Sequence, residues 1–232
     1  MQRANYSYCC RKRGAGKSTL AINLSAQLSR QKKDVHLLDT DIRQRSSSKW
    51  IDLRNAKIEN GEDLPIIHNT SKTGNIKPAI ADLSLRHEVV MIDTQGRDNK
   101  AARFALLNSD LILIPMQANY FNLATLENIC ELLEETWSPE KPRVVRLVFT
   151  QISTHVFNND LIEAKKYIDA YVDIHEDENF DILKSFTNVR SAYGKAESSG
   201  LGVVEGTDSK AKAEIQLILQ EALESLNEPE SV

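Results

Sequence analysis

The sequence predicts an α/β fold, a doubly wound and mostly parallel sheet in a single domain over residues 1–232. Three observations carry this reading. Short Val/Ile/Leu-rich runs alternate with stretches of helical periodicity, the pattern of βαβ units. A Gly-Lys-Ser-Thr segment at residues 16–19 opens directly into the first helical stripe. Two of the apolar runs end in aspartate, at the sheet edge where open α/β folds bind ligands.

The elements follow in chain order. Leu20, Leu24 and Leu28 recur every four residues and give the first helix. Val35–Leu38, Val89–Ile92, Leu111–Ile114 and Val144–Phe149 read as strands covered on both faces, because each is short, apolar and flanked by polar residues. Ser46–Trp50 reads as a cap and the start of a helix. Leu123, Leu126, Ile129, Leu132 and Leu133 form a further helical stripe, with Cys130 as a small buried thiol within it. Ala211, Ile215, Ile218, Leu219, Ala222, Leu223 and Leu226 share one face of a last helix that Asp208 or Ser209 can cap. Residues 227–232 read as a polar, frayed tail.

Composition narrows the function classes. With 41% hydrophobic and 27% charged residues the chain is globular, and its net charge of −4 excludes a constitutively basic nucleic-acid coat. No apolar run approaches the ~20 residues that span a bilayer. The residues after Gln2 and Arg3 lack a secretory h-region, so a cytoplasmic location is expected. Cys9, Cys10 and Cys130 fit neither a disulfide framework nor zinc spacing. The five histidines are scattered without ligand spacing and read as surface or strand-flanking. Trp50 and Trp137 read as packing residues.

The chemistry concentrates in Gly14-Ala15-Gly16-Lys17-Ser18-Thr19. Glycines let backbone N–H groups curl around phosphate oxygens, and the following helix N-terminus adds its positive end. Lys17 is placed to reach β- and γ-phosphates, and the Ser18 hydroxyl to ligate Mg²⁺. Arg11 stands where the general GxxxxGK[ST] pattern needs its first glycine.

The segment resembles the deviant loop KGGxGK[ST] of the ParA/MinD superfamily. Lys12 matches its signature lysine, and Gly14, Gly16, Lys17 and Ser18 match in place, while Arg13 stands where the family has glycine. The resemblance continues through Asp39-Thr40-Asp41, similar to the DxDPQ switch I with Ile42 and Arg43 replacing Pro and Gln. Asp93-Thr94-Gln95-Gly96 resembles the Walker B and switch II segment DTPG, with Gln95 as a departure. Ser109–Gln117 resembles "ADLVLIPVQ", and residues 188–200 with 210–215 resemble the C-terminal "R..y..a...G" and "kA..Ei" pattern.

The resemblance implies a P-loop NTPase of the SIMIBI type, a short ParA similar in size to ParF-like partition proteins, with no helix-turn-helix domain before the loop. It implies ATP and Mg²⁺ as cofactors. Lys12, Arg13, Gly14, Ala15, Gly16, Lys17, Ser18, Thr19 and Gly96 would bind the nucleotide, and Ser18, Asp39 and Asp93 would serve Mg²⁺. Lys12, Lys17 and Asp41 would be catalytic, Asp41 by positioning the attacking water. Arg13 would weaken the loop, since it puts a Cβ and a charge where φ > 0 is needed.

The implied cycle is ATP-dependent dimerisation, with Lys12 reaching the partner's phosphates, non-specific DNA binding and nucleoid association. A ParB/ParG-type centromere-binding partner would then stimulate slow hydrolysis. Arg190, Lys195, Lys210 and Lys212 are the basic residues available for DNA. The alternatives are a MinD-like or cargo-positioning ATPase on another matrix, disfavoured at a membrane by the acidic C-terminus, and a small-molecule kinase. An iron–sulfur reductase lacks suitably placed cysteines.

Residues 5–13 are unusually polar for the strand that precedes a phosphate loop. One codon choice for them is AAT TAC TCT TAT TGT TGC AGA AAA AGG. Read one base later into the next glycine codon, it gives ITLIVAEKG, an apolar strand ending in the family's missing glycine. The segment is therefore read as a local frame slip.

Overall fold

The strands are β1 (Ala4–Tyr8), β2 (Val35–Asp39), β3 (His68–Ser71), β4 (Val89–Asp93), β5 (Leu111–Met116), β6 (Val144–Phe149) and β7 (Phe180–Ile182). In the computed structural model they form one sheet in the order β3-β2-β4-β1-β5-β6-β7, and every pairing between them is parallel. The structure describes residues 4–8, 14–96, 98–119, 124–141, 143–155, 159–175 and 180–227. Lys12, Arg13, Cys9, Cys10 and Leu123 lie outside them, as does most of the proposed frame slip.

After β1 the chain builds outward through β2 and β3, returns to insert β4 between β2 and β1, and then crosses to β5 on the far side of β1. The winding direction therefore changes beside β1, which opens a crevice at the carboxyl ends of the strands next to the segment that follows β1. Register brings the acidic strand ends into line there: Asp39 pairs with Asp93, and Tyr8 pairs with Asp93 from the other side.

Eight α-helices occur among the described residues: α1 (Lys17–Arg30), α2 (Ser46–Glu59), α3 (Lys77–Arg86), α4 (Lys100–Asn108), α5 (Leu126–Glu135), α6 (Asp160–His175), α7 (Ser191–Glu197) and α8 (Ser209–Glu224). Successive strand residues point to opposite faces, and both faces are covered. Leu37, Met91, Leu113 and Val148 pack against α1, α8 and Trp50. Leu38, Val90 and Ile92 meet α3 and α4, and Ile112, Ile114, Leu147 and Phe149 meet α5 and α6. Asp208 caps α8, accepting from the N–H groups of Lys210 and Ala211 at 3.0 Å.

A buried ion pair locks the C-terminal segment to α2. Arg54 donates to both carboxylate oxygens of Glu205 at 2.9 and 2.8 Å, and its Nε donates to the Pro65 carbonyl. The Trp50 indole donates to the Leu201 carbonyl at 3.0 Å. Two glycines permit this docking. A Cβ on Gly200 (φ +70°) would lie 2.6 Å from the Arg54 nitrogen, and one on Gly202 would lie 2.6 Å from Ala26 Cβ.

The structure departs from the sequence reading in several places. β1, β3 and β7 carry no apolar run that marks them, and β3 and β7 lie at the two edges of the sheet. Trp137 is 57% exposed, so it is not a packing residue, whereas Trp50 is buried. The histidines are not all scattered: the rings of His36 and His68 lie 4.7 and 5.4 Å from that of His87. His36 is buried within β2, and burial lowers its pKa to about 4. No helix among the described residues is long and apolar enough to cross a membrane.

Candidate functional site

Gly14 and Gly16 both adopt left-handed φ values, +84° and +86°, which a residue with a Cβ takes only at a cost. Gly16 is the N-cap of α1, and no acidic side chain occupies the first turn. No acidic residue of α1 itself therefore offsets the positive helix end at the crevice. The loop carbonyls are held from behind. Gly14 O accepts from Gln151 Nε2 at 2.8 Å and Gln117 Nε2 at 3.4 Å, and Ala15 O accepts from Thr150 Oγ1 at 2.9 Å. Lys17 is buried at the head of α1.

A cleft of about 390 Å³ lies over the loop, lined among others by Gly14, Lys17, Ser18, Asp41, Gln95 and Gly96. The two aligned aspartates do not line the cleft; they are buried next to it and differ in their surroundings. Asp39 is saturated: Oδ1 accepts from the Asp41 N–H at 2.9 Å, and Oδ2 accepts from the Ser48 N–H and hydroxyl at 3.2 and 2.7 Å. Asp93 Oδ2 accepts from Ser47 Oγ at 3.0 Å, and Ser18 also hydrogen-bonds the carboxylate. Its Oδ1 is buried with no partner among the described residues. Burial pushes the Asp93 pKa up to about 6, with the hydroxyls of Ser18 and Ser47 opposing the rise and the Asp39 charge adding to it.

This donor set fits a hard divalent cation. A hydroxyl and an unsatisfied carboxylate oxygen lie together, and Mg²⁺ takes few protein ligands beside phosphate and water. No three carboxylate, imidazole or thiolate side chains converge into an all-protein metal cage among the described residues.

Asp41 stands on the wall of the cleft. Its Oδ1 accepts from Gln95 Nε2 at 3.0 Å and from the backbone N–H groups of Arg43 and Gln44 at 3.3 and 3.1 Å. Gln95 in turn accepts through Oε1 from Asn99 Nδ2 at 3.0 Å. Thr40 fastens the neighbouring strand ends by donating to the Asp93 carbonyl. Across the cleft Glu197 hydrogen-bonds Thr19, burial raises its pKa, and its Oε1 has no partner among the described residues.

The structure thus brings Gly14, Gly16, Lys17, Ser18, Thr19, Asp41 and Gly96 to one crevice and buries Ala15, Asp39 and Asp93 next to it. Sequence reasoning missed Ser47, Ser48, Thr150, Gln151, Gln117, Gln95 as a partner of Asp41, and Glu197. Thr150, Gln151 and Gln117 each lie just past a strand end, so the strand-end rule applied to β5 and β6 points to them. Of the basic residues named for DNA, Arg190 is engaged by Glu214 at 2.7 Å, whereas Lys195 and Lys210 are exposed.

Comparison with known proteins agrees with this geometry. A family model described as ATPase MipZ matches residues 8–138, more than half of the chain. Protein ParA of Rhizobium radiobacter is 26% identical over 155 residues, which cover 66% of this chain and 67% of that protein. A Cyanothece McdA–ATP complex superposes with a TM-score of 0.67 at 14% identity, over 96% of this chain and 97% of that one. MinD from Pyrococcus horikoshii, complexed with Mg-ADP, gives 0.68 at 16% identity over 94% of each chain. At such identities the two structures establish the fold. The chain belongs to the MipZ ATPase family, within the ParA/MinD superfamily of P-loop ATPases.

Proposed function

We propose that this protein is a ParA-type partition ATPase that binds Mg-ATP in the cleft, dimerises with it, and in that state holds duplex DNA without sequence preference. A centromere-binding protein of the ParB/ParG type then stimulates slow hydrolysis and release. The observation that carries the reading is the alignment of Asp39 and Asp93 at one sheet edge, beside a left-handed glycine loop that opens α1. The ATP and Mg-ADP complexes of McdA and MinD, which share the fold, support the choice of nucleotide.

In this reading the N–H groups of residues 14–19 cradle the phosphates, and Lys17 neutralises charge between the β- and γ-phosphates. Ser18 and Asp93 hold Mg²⁺, while Asp39 orients switch I through Asp41 and Ser48. The ion supplies charge neutralisation to the phosphates when bound. Asp41 positions the water that attacks the γ-phosphate, and Gly96 offers its N–H to the same group. Lys12, outside the described residues, crosses to the partner's phosphates as a long point charge. The apolar face of α8 is buried, with Ile215 and Ile218 fully enclosed, which leaves it unavailable to a lipid surface.

The test is retention of the purified protein on non-specific duplex DNA at low salt with Mg-ATP, with Mg-ADP, and with Lys17→Ala. Retention only with ATP, abolished in Lys17→Ala and falling steeply with salt, is expected. Silence with every nucleotide sends the experiment to Arg13→Gly: rescue locates the fault in the loop, and continued silence ends the DNA reading.

A further inference from the structure

Gln95 occupies the position where related loops carry proline, and its side chain bridges two loops and a helix. The orientation of its amide is fixed by donors and acceptors that have no freedom. The backbone N–H of Ala102 can only donate, and it meets Asn99 Oδ1 at 2.9 Å, capping α4. The other end of the Asn99 amide is therefore its NH₂, which donates to Gln95 Oε1 at 3.0 Å. That in turn commits the Gln95 NH₂ to Asp41 Oδ1, also at 3.0 Å. The N-terminus of α4 thus dictates, through two side-chain amides, which proton points at Asp41.

Among the described residues, every hydrogen bond to the Asp41 carboxylate falls on one oxygen. Oδ1 takes Gln95 Nε2 and the N–H groups of Arg43 and Gln44, and Oδ2 accepts none among the described residues. The carboxylate is held with one acceptor saturated and the other left for a proton-bearing ligand in the cleft.

We propose that Gln95, locked by Asn99, is a positioning residue for hydrolysis: it fixes the plane of the Asp41 carboxylate so that Oδ2 receives the attacking water. The inference rests on the reading of Asp41 as the water-positioning group. It also makes the two switch loops one mechanical unit, since a movement of residues 94–99 carries Asp41 with it. The relay requires that Asn99 donate, and capping requires only that residue 99 accept, so the two roles of Asn99 can be separated.

The experiment measures Mg-ATP hydrolysis by the full chain for Asp41→Ala, Gln95→Ala, Asn99→Ser and the Gln95→Ala/Asn99→Ser double variant. Serine caps a helix as well as asparagine does but has no NH₂ to lock Gln95. Asn99→Ser and Gln95→Ala are each expected to lower kcat about fivefold, the worth of roughly one hydrogen bond, with KM for ATP within about twofold. The double variant is expected to be no slower than Gln95→Ala, because both break one relay. In the nucleotide-free protein the Gln95 side-chain amide proton resonance is expected to move in Asn99→Ser while the thermal midpoint stays put. A wild-type kcat in Asn99→Ser, multiplicative losses in the double variant, or an effect confined to KM overturns the inference while leaving the Asp41 reading intact. Hydrolysis that survives in Asp41→Ala overturns the Asp41 reading itself.

Discussion

Replacing Asp93 by asparagine removes a charge from a place where the fold disfavours it. The carboxylate is buried, its pKa is raised from an ordinary 3.8 to about 6, and one of its oxygens has no donor among the described residues. Because the folded-state value is the higher one, the unfolded chain releases this proton first as pH rises. Stability from this group therefore falls between pH 3.8 and about 6, and the full deficit persists above that window. Two pKa units correspond to about 3 kcal/mol, a ceiling for what the ionised carboxylate costs the ligand-free protein at neutral pH. Asparagine is nearly isosteric, and its carbonyl still accepts from Ser47 and Ser18. In urea unfolding, Asp93→Asn is expected to be more stable than the parent by about 1–3 kcal/mol at about pH 7.5, with the gain shrinking toward zero at about pH 4. The same variant is expected to lose the stabilisation that Mg-ATP gives the parent, since the charge disfavoured in the free protein is the one a divalent cation requires. A variant less stable at neutral pH, or a gain equal at both pH values, would refute the electrostatic account of this site.

Other perturbations test the frame around the site. Arg54→Ala leaves Glu205 buried without its bidentate partner and is expected to cost about 3–5 kcal/mol by denaturant unfolding; a loss below about 1 kcal/mol would mean that Glu205 finds other support. Gly202→Ala drives a methyl group to within 2.6 Å of Ala26 Cβ and is expected to cost about 1–3 kcal/mol, read as a drop in thermal midpoint. His36 has a lowered pKa of about 4, so the folded protein refuses a proton that the unfolded chain takes. Stability from this group is lost as pH falls from 6.5 toward 4, opposite in sign to Asp93. His36→Gln, which keeps a partner for Thr70, is expected to flatten the acid limb of the stability profile, and an unchanged limb would assign it elsewhere.

The sequence reveals those parts of the protein whose physics is local. Val144–Phe149 appears at the bounds its apolar run suggests, and β2 and β4 extend one residue further only because their terminal aspartates still pair in register. β3 and β7 stay hidden because an edge strand has half its surface exposed and no need of an apolar run; His68-Asn69-Thr70-Ser71 is polar throughout. Gly14–Thr19, Asp39 and Asp93 are legible because their spacing follows from chemistry that recurs in one order along the chain. Gln95, Ser47, Ser48 and Gln151 are not, since their roles arise from contacts over long sequence separations that nothing local encodes. The polar character of Asn5 and Ser7 hides β1, which lies in the interior of the sheet. Reading the gene decides that segment: codons incompatible with the shifted peptide ITLIVAEKG remove the frame-slip explanation.

Gln151, Gln117 and Thr150 hold the carbonyls of Gly14 and Ala15 from behind, and Gly16 O is already taken by the Leu20 N–H at 2.8 Å. The peptide planes of the loop are thereby set before any anion arrives. An anion that meets residues 14–16 finds their carbonyls already held, so little conformational entropy is lost there. Residues 42–45, beyond Asp41, are exposed, and the N–H groups of Arg43, Gln44 and Arg45 all bond Asp41, so this stretch is tied to that residue.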